Sequence, residues 1–110
     1  MIPLATLEEM FTEMRKNPEF DPNKPLLWGY FFADPEPLRL EKAGERLQND
    51  GYRVVTIYET DDQTTYFLHV EKVERHDSET LHQRNQELDA LAEELGLESY
   101  DGMDVGPVSQ

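Results

Sequence analysis

Apolar positions along this chain repeat in two different periods. Leu7, Met10, Phe11 and Met14 are spaced for one face of a helix. Thr6, followed three residues later by Glu9, has the pattern of a capping box at its start, and Asn17-Pro18 ends it. Asp21 to Pro25 reads as a turn-rich linker. From Leu26 to Ala33 the run is almost continuously apolar, with Leu27, Trp28, Tyr30, Phe31 and Phe32. Its length and aromatic content predict a buried strand. Asp34-Pro35 then predicts a second helix, with Asp as cap and Pro in the first helical position. Leu40, Ala43, Gly44 and Leu47 mark its inward face, and Gly51 is placed to end it in the left-handed conformation. Tyr52 to Glu59 and Thr64 to Glu74 predict two strands joined by Thr60-Asp61-Asp62-Gln63, a turn without the favoured glycine. Asp77 or Ser78 caps a third helix with the stripe Leu81, Leu88, Leu91, Ala92 and Leu95, stopped by Gly96. Glu98 to Val105 forms a last short strand.

The order is a helix and then β-α-β-β-α-β. It predicts an α+β fold, a ferredoxin-like βαββαβ sandwich. Its four-stranded antiparallel sheet carries helices on one face, plus the extra N-terminal helix. Residues 1–25 are then an N-terminal helix and linker, and residues 26–110 the ferredoxin-like domain. In this topology the first and third strands are central and the fourth lies beside the first. Alternation along the third strand puts His69 and Glu71 on one face and points Leu68 and Val70 toward the helices. Along the first strand, Trp28, Tyr30 and Phe32 form one set, and Leu27, Gly29 and Phe31 the other. Both are apolar, so alternation there does not choose the inner face. Aromatic residues on the face away from the helices need a cover: the N-terminal helix, a partner, or a second copy in a homodimer.

Charge narrows the function. The 110 residues hold 24 Asp and Glu against 10 Lys and Arg, a formal net charge of −14. Such a surface repels phosphate backbones and anionic lipids, which argues against direct nucleic-acid or membrane binding. It favours encounter with a basic protein partner. Cysteine is absent, so disulfides, thiolate nucleophiles and Cys-ligated zinc are excluded. Neither a signal peptide nor a membrane span is read in the sequence, and the expected location is cytoplasmic.

Candidate chemistry is sparse. His69, Glu71, Asp101 and Asp104 fall on strands that the topology makes neighbours, a set that could serve a metal or acid–base site. His76 and His82 stand at a helix entrance, where exposed or cap-related roles are expected. Asn85 lies on the apolar stripe of the third helix and must satisfy a buried amide, for which a backbone edge is the expected partner. No nucleophile motif or phosphate-binding glycine loop is present, and Gly102 suits a bulge in the last strand. These residues point away from an enzyme, with no catalytic set and no cofactor. The alternative is a small-molecule or metal-binding domain that uses the open sheet face, with His69 and Glu71 as candidate ligands. The outward face of the third helix carries Glu79, Glu87, Asp89, Glu93 and Glu94.

The run Leu88-Asp89-Ala90-Leu91-Ala92-Glu93-Glu94-Leu95-Gly96-Leu97-Glu98-Ser99-Tyr100-Asp101-Gly102 resembles the closing helix and strand of the regulator of ribonuclease E activity B family. Arg84-Asn85-Gln86-Glu87, Met103-Asp104-Val105-Gly106-Pro107, Trp28-Gly29-Tyr30-Phe31-Phe32 and Gly51-Tyr52-Arg53-Val54 fit the same family. The resemblance covers Leu26 to Val108 and is to a divergent, tail-less branch. Enterobacterial members continue into a long acidic tail where this chain closes with Val108-Ser109-Gln110. The resemblance implies a ferredoxin-like fold and a non-catalytic role: binding the scaffold region of ribonuclease E and restraining RNA decay. Charge, exposed carboxylates and the resemblance together select Glu87, Glu93, Glu94, Tyr100, Asp101 and Asp104 as the partner-binding residues.

Overall fold

The computed structural model describes residues 2–21 and 23–108. Helix α1 (Leu4–Met14) and a 3-10 turn (Pro18–Phe20) precede strand β1 (Leu26–Asp34). Helix α2 (Pro37–Asn49), strands β2 (Arg53–Glu59) and β3 (Tyr66–Glu74), helix α3 (Ser78–Glu94) and strand β4 (Ser99–Gly106) follow. The strands form one antiparallel sheet in the order β2-β3-β1-β4, with β1 and β3 in the middle, as the sequence predicts.

Cross-strand partners decide which face of β1 turns inward. Trp28, Tyr30 and Phe32 stand beside Lys72, Val70 and Leu68 of β3 and Val105, Met103 and Tyr100 of β4. The other set, Leu27, Gly29 and Phe31, meets Val73, Glu71 and His69, and Glu71 is paired with Arg53. The face with fewer charges is the cheaper one to bury. Trp28, Tyr30 and Phe32 are at most 1% exposed, packed with Leu40 and Leu47 of α2 and Leu81 and Leu88 of α3. Each large side chain so buried contributes about 1.5–3 kcal/mol.

Helix α1 joins this same layer through Leu7, Phe11 and Met14, with the Phe11 ring 6.0 Å from Trp28. It packs against α3 and leaves the opposite sheet face open. That face shows Phe31, Phe67 and the more exposed Tyr58 and Val73. The N-terminal helix, one of the three covers expected for it, therefore does not cover this face.

Several boundaries differ from the sequence reading. Helix α1 starts at Leu4 with Pro3 as its cap residue, and the Thr6 and Leu7 amides donate to the Pro3 carbonyl. Thr6 is therefore inside the first turn, and the expected box with Glu9 does not form. Asp34 belongs to β1 and Glu36 caps α2 instead. The cause is a tertiary bond: Asp34, 1% exposed, accepts the Glu36 amide at 2.9 Å and the distant Glu98 amide at 3.0 Å. Strand β3 begins at Tyr66, because Asp62 holds Thr60 and Thr64 in the turn and Gln63 adopts φ 60°. At α3, Asp77 and Thr80 form a capping box. Both α2 and α3 end in Schellman motifs: Tyr52 donates to Leu47 and Leu97 to Ala92, across Gly51 and Gly96 at positive φ.

Candidate functional site

The acidic residues of α3 do not form one stripe. Glu87 and Glu94, two turns apart, border a groove of about 560 Å³ between α2 and α3, floored by Leu47, Tyr52, Leu88 and Leu91. Asp89 and Glu93, one turn apart, sit on the other flank beside Glu98 and Ser99 at the start of β4. In the groove the carboxylates already have cations. Glu94 lies 3.8 Å from Arg46, Asp50 3.6 Å from Arg46, and Glu87 3.9 Å from Arg84. These are exposed contacts, each contributing at most about 1 kcal/mol. Among the described residues, Asp89, Glu93, Asp101 and Asp104 have no cationic side chain within ion-pair distance.

The last turn of α3 contains Glu93 and Glu94 and no basic residue. Negative charge there opposes the helix dipole, whereas Glu79 in the first turn agrees with it. Local stability alone would favour Lys or Arg at the C-terminal end.

Tyr100 is half-buried and its hydroxyl points inward, donating to Asn85 Oδ1 at 2.6 Å. Burial, with Tyr52 and Asp89 adding to it, pushes the Tyr100 phenol well above its usual range, so it stays a donor. The Asn85 amide nitrogen meets Met103 Sδ at 3.7 Å. The partners of Asn85 are thus side chains of β4, not the backbone edge expected, because α3 crosses β4 where Tyr100 and Met103 project. Tyr100→Phe would leave the Asn85 oxygen buried without its donor and should cost about 1–3 kcal/mol in urea unfolding. An unchanged midpoint would mean that water replaces the hydroxyl.

Asp101 occupies the bulge of β4. The ladder to β1 shifts between Phe31, opposite Gly102, and Phe32, opposite Tyr100, leaving Asp101 unpaired. Gly102 at φ 131° permits this turn of the strand. Asp104 projects from the open sheet face, opposite Gly29, so it and the α3 acids lie on opposite sides of the sheet. A Cβ at Gly29 would overlap Asp104 Oδ1 and come within 2.9 Å of His69 Nε2. Glycine there makes room for two polar side chains over the central strand. His69 stacks on Phe31 at 4.4 Å, and Glu71 is held by Arg53. Among the described residues, no group of three or more His, Asp or Glu side chains is arranged to hold a metal ion.

The most developed polar cluster is one the sequence reading missed. Glu74, at the end of β3, accepts Tyr30 Oη at 2.6 Å and His76 Nε2 at 3.2 Å on one oxygen, and Arg84 at 2.9 Å on the other. Arg84 also donates to the Tyr52 hydroxyl. The Trp28 indole donates to the Glu74 carbonyl at 3.0 Å. Burial alone would raise the Glu74 carboxyl. Bonds from His76 and Tyr30 and the charge of Arg84 outweigh it and hold the group below the usual carboxylate range. Burial raises both Tyr30 and Tyr52, and the Glu74 bond raises Tyr30 further. His76, expected to be exposed or cap-related, is buried at 8% exposure against Trp28, and its Nδ1 lies 3.1 Å from the capping Thr80. His82 is half-exposed. One signal was available: Glu74 shares the parity of Leu68 and Val70, the inward face of β3. The cluster ties α3, through Arg84, and the turn after α2, through Tyr52, to the two central strands.

Among the described residues no helix is long and apolar enough to cross a membrane. No curated protein matches the chain. The family model described as regulator of ribonuclease activity B matches residues 5–105, spanning α1 through β4. This chain therefore belongs to the regulator of ribonuclease activity B family.

Proposed function

We propose that the chain is a non-catalytic regulator that binds a basic protein surface and so modulates a ribonuclease, with ribonuclease E the target implied by the resemblance. Inhibition then comes from occupying the surface on which RNA-decay components assemble. The observation that carries this reading is the acidic end of α3. Glu93 and Glu94 stand where they work against the helix dipole, on a chain already at −14. Placement that costs local stability, with Glu93 free of an ion pair among the described residues and Glu94 in one long, exposed contact with Arg46, fits a surface kept for a cationic partner. Glu87, Glu93, Glu94, Tyr100 and Asp101 belong to the contact, with the Tyr100 ring rather than its hydroxyl facing the partner. Asp104 joins it where the partner wraps the β4 edge onto the open sheet face.

The test is binding of the purified chain to the ribonuclease E scaffold region across a salt series. Affinity should fall steeply as salt rises. Glu93→Lys combined with Glu94→Lys should slow association about tenfold at low salt and flatten the salt dependence. Thermal stability should change little, because the new charges agree with the helix dipole while Glu94→Lys loses the Arg46 contact. Unchanged association rates in this double variant would remove the end of α3 from the contact, and absence of binding at low salt would sink the ribonuclease E reading.

A further inference from the structure

We infer that the cleft between the start of α1, the middle of α3 and the bulge of β4 receives an arginine side chain of the protein partner. This rests on the regulator reading above and names the chemistry of its contact. The cleft encloses about 450 Å³, and its lining includes Ile2, Pro3, Asn85, Asp89, Tyr100 and Asp101. Three features separate it from the groove between α2 and α3.

The first is charge. Glu87, Glu94 and Asp50 of the α2–α3 groove face Arg84 and Arg46 of the same chain. A partner cation entering there meets two guanidinium groups and must compete with them. No Lys or Arg lines the cleft, and Asp89 and Asp101 are exposed with no ion pair among the described residues. Among the described residues, a cation entering the cleft gains two carboxylates and displaces no cationic side chain.

The second is shape. Asp89 comes from a helix and Asp101 from a strand, so the carboxylates approach an occupant from two elements. The bulge sets Asp101 out of the β-ladder and onto the rim of the cleft. The wall between them is apolar and aromatic: Ile2, Pro3 and the half-buried Tyr100 ring, itself braced on Phe32 at 5.3 Å.

The third is rigidity. Asn85, 1% exposed, closes the floor and holds Tyr100 by the 2.6 Å bond from its hydroxyl. The wall is thus preset before a partner arrives, which lowers the ordering cost of binding. Carboxylates from two sides and a fixed aromatic face suit a flat guanidinium, which donates in several directions and stacks, better than an ammonium.

The experiment titrates the full, isotope-labelled chain with acetylated penta-arginine amide and, in parallel, penta-lysine amide, followed by NMR. Shifts should concentrate at the Asn85 side-chain amide, Asp89 and Tyr100 to Gly102, with arginine binding more tightly than lysine. Asp89→Asn with Asp101→Asn, two exposed changes, should weaken arginine binding about tenfold. Glu87→Gln with Glu94→Gln, in the other groove, should change it less than about twofold. Shifts centred on the α2–α3 groove, equal weakening by the two double variants, or no preference for arginine would each overturn the inference. The same Asp89 and Asp101 variant is then measured against the ribonuclease E scaffold region. Full-strength binding there would overturn the cleft while leaving the regulator reading intact. Absence of scaffold binding by the unmodified chain, with penta-arginine still mapping to the cleft, would remove that target and keep the arginine site.

Discussion

Glu74→Ala should destabilise the protein by about 3 kcal/mol, because it removes one member of a part-buried ion pair and strands the others, the buried His76 and Tyr30 among them. The Arg84 side chain is only 22% exposed and that of Glu74 13%, so water replaces little of what is lost. Tyr30 and His76 lose their shared acceptor at the same time. In a chain of this size the fall in Tm should be on the order of 15 °C by calorimetry. The pH dependence follows from the depressed Glu74 carboxyl. A carboxyl held below its unfolded value, which is about 4.3 for Glu, contributes stability that is fully present above that value. The contribution is lost as pH falls through the lower folded pKa. Unfolding of the unmodified chain below about pH 4 should therefore be steeper than that of Glu74→Gln. A loss under about 1 kcal/mol for the alanine variant would show that Arg84 and Tyr52 hold α3 to the turn after α2 without the carboxylate.

Trp28→Ala should cost about 3–5 kcal/mol through a different mechanism. Trp28 is 1% exposed and touches two elements and the connection between β3 and α3: the Phe11 ring of α1 at 6.0 Å, the Glu74 carbonyl of β3 at 3.0 Å through its indole nitrogen, and His76 edge-on at 5.2 Å. Its removal opens a cavity where α1 meets β1. Hydrogen exchange should show amides of α1 losing protection first, with β3 retaining more of its own. Trp28→Phe should restore part of the stability by filling the space without the indole bond. Uniform loss of protection across α1 and the sheet would instead mean that α1 unfolds only with the whole chain.

Much of the fold was legible because it rests on local rules. Gly51 and Gly96 end helices where left-handed backbone is needed, and Asp77 starts one with its own side chain. Alternation placed Leu68 and Val70 inward, and the order of elements required β1 and β3 to be central. The helix starts at α1 and α2 were less legible, since Thr6 and Asp34 are plausible caps in isolation. Asp34 is instead claimed by the Glu98 amide, 64 residues away, and that competition is invisible to any local pattern.

For the site, the sequence by itself determined the charge, the absence of cysteine, and the carboxylates that α3 and β4 carry. Composition and helical spacing are properties of the chain alone and survive any packing. Only the tertiary structure decided how those carboxylates divide. Glu87 and Glu94 fall beside Arg84 and Arg46, Asp89 and Asp101 share a cleft with no cationic side chain among the described residues, and Asp104 lies across the sheet. It also turned the Tyr100 hydroxyl toward Asn85 and gathered three donors around the half-buried Glu74. Which ions neutralise one another depends on distances of a few ångströms between elements far apart in the chain, because Coulomb attraction and desolvation act through space.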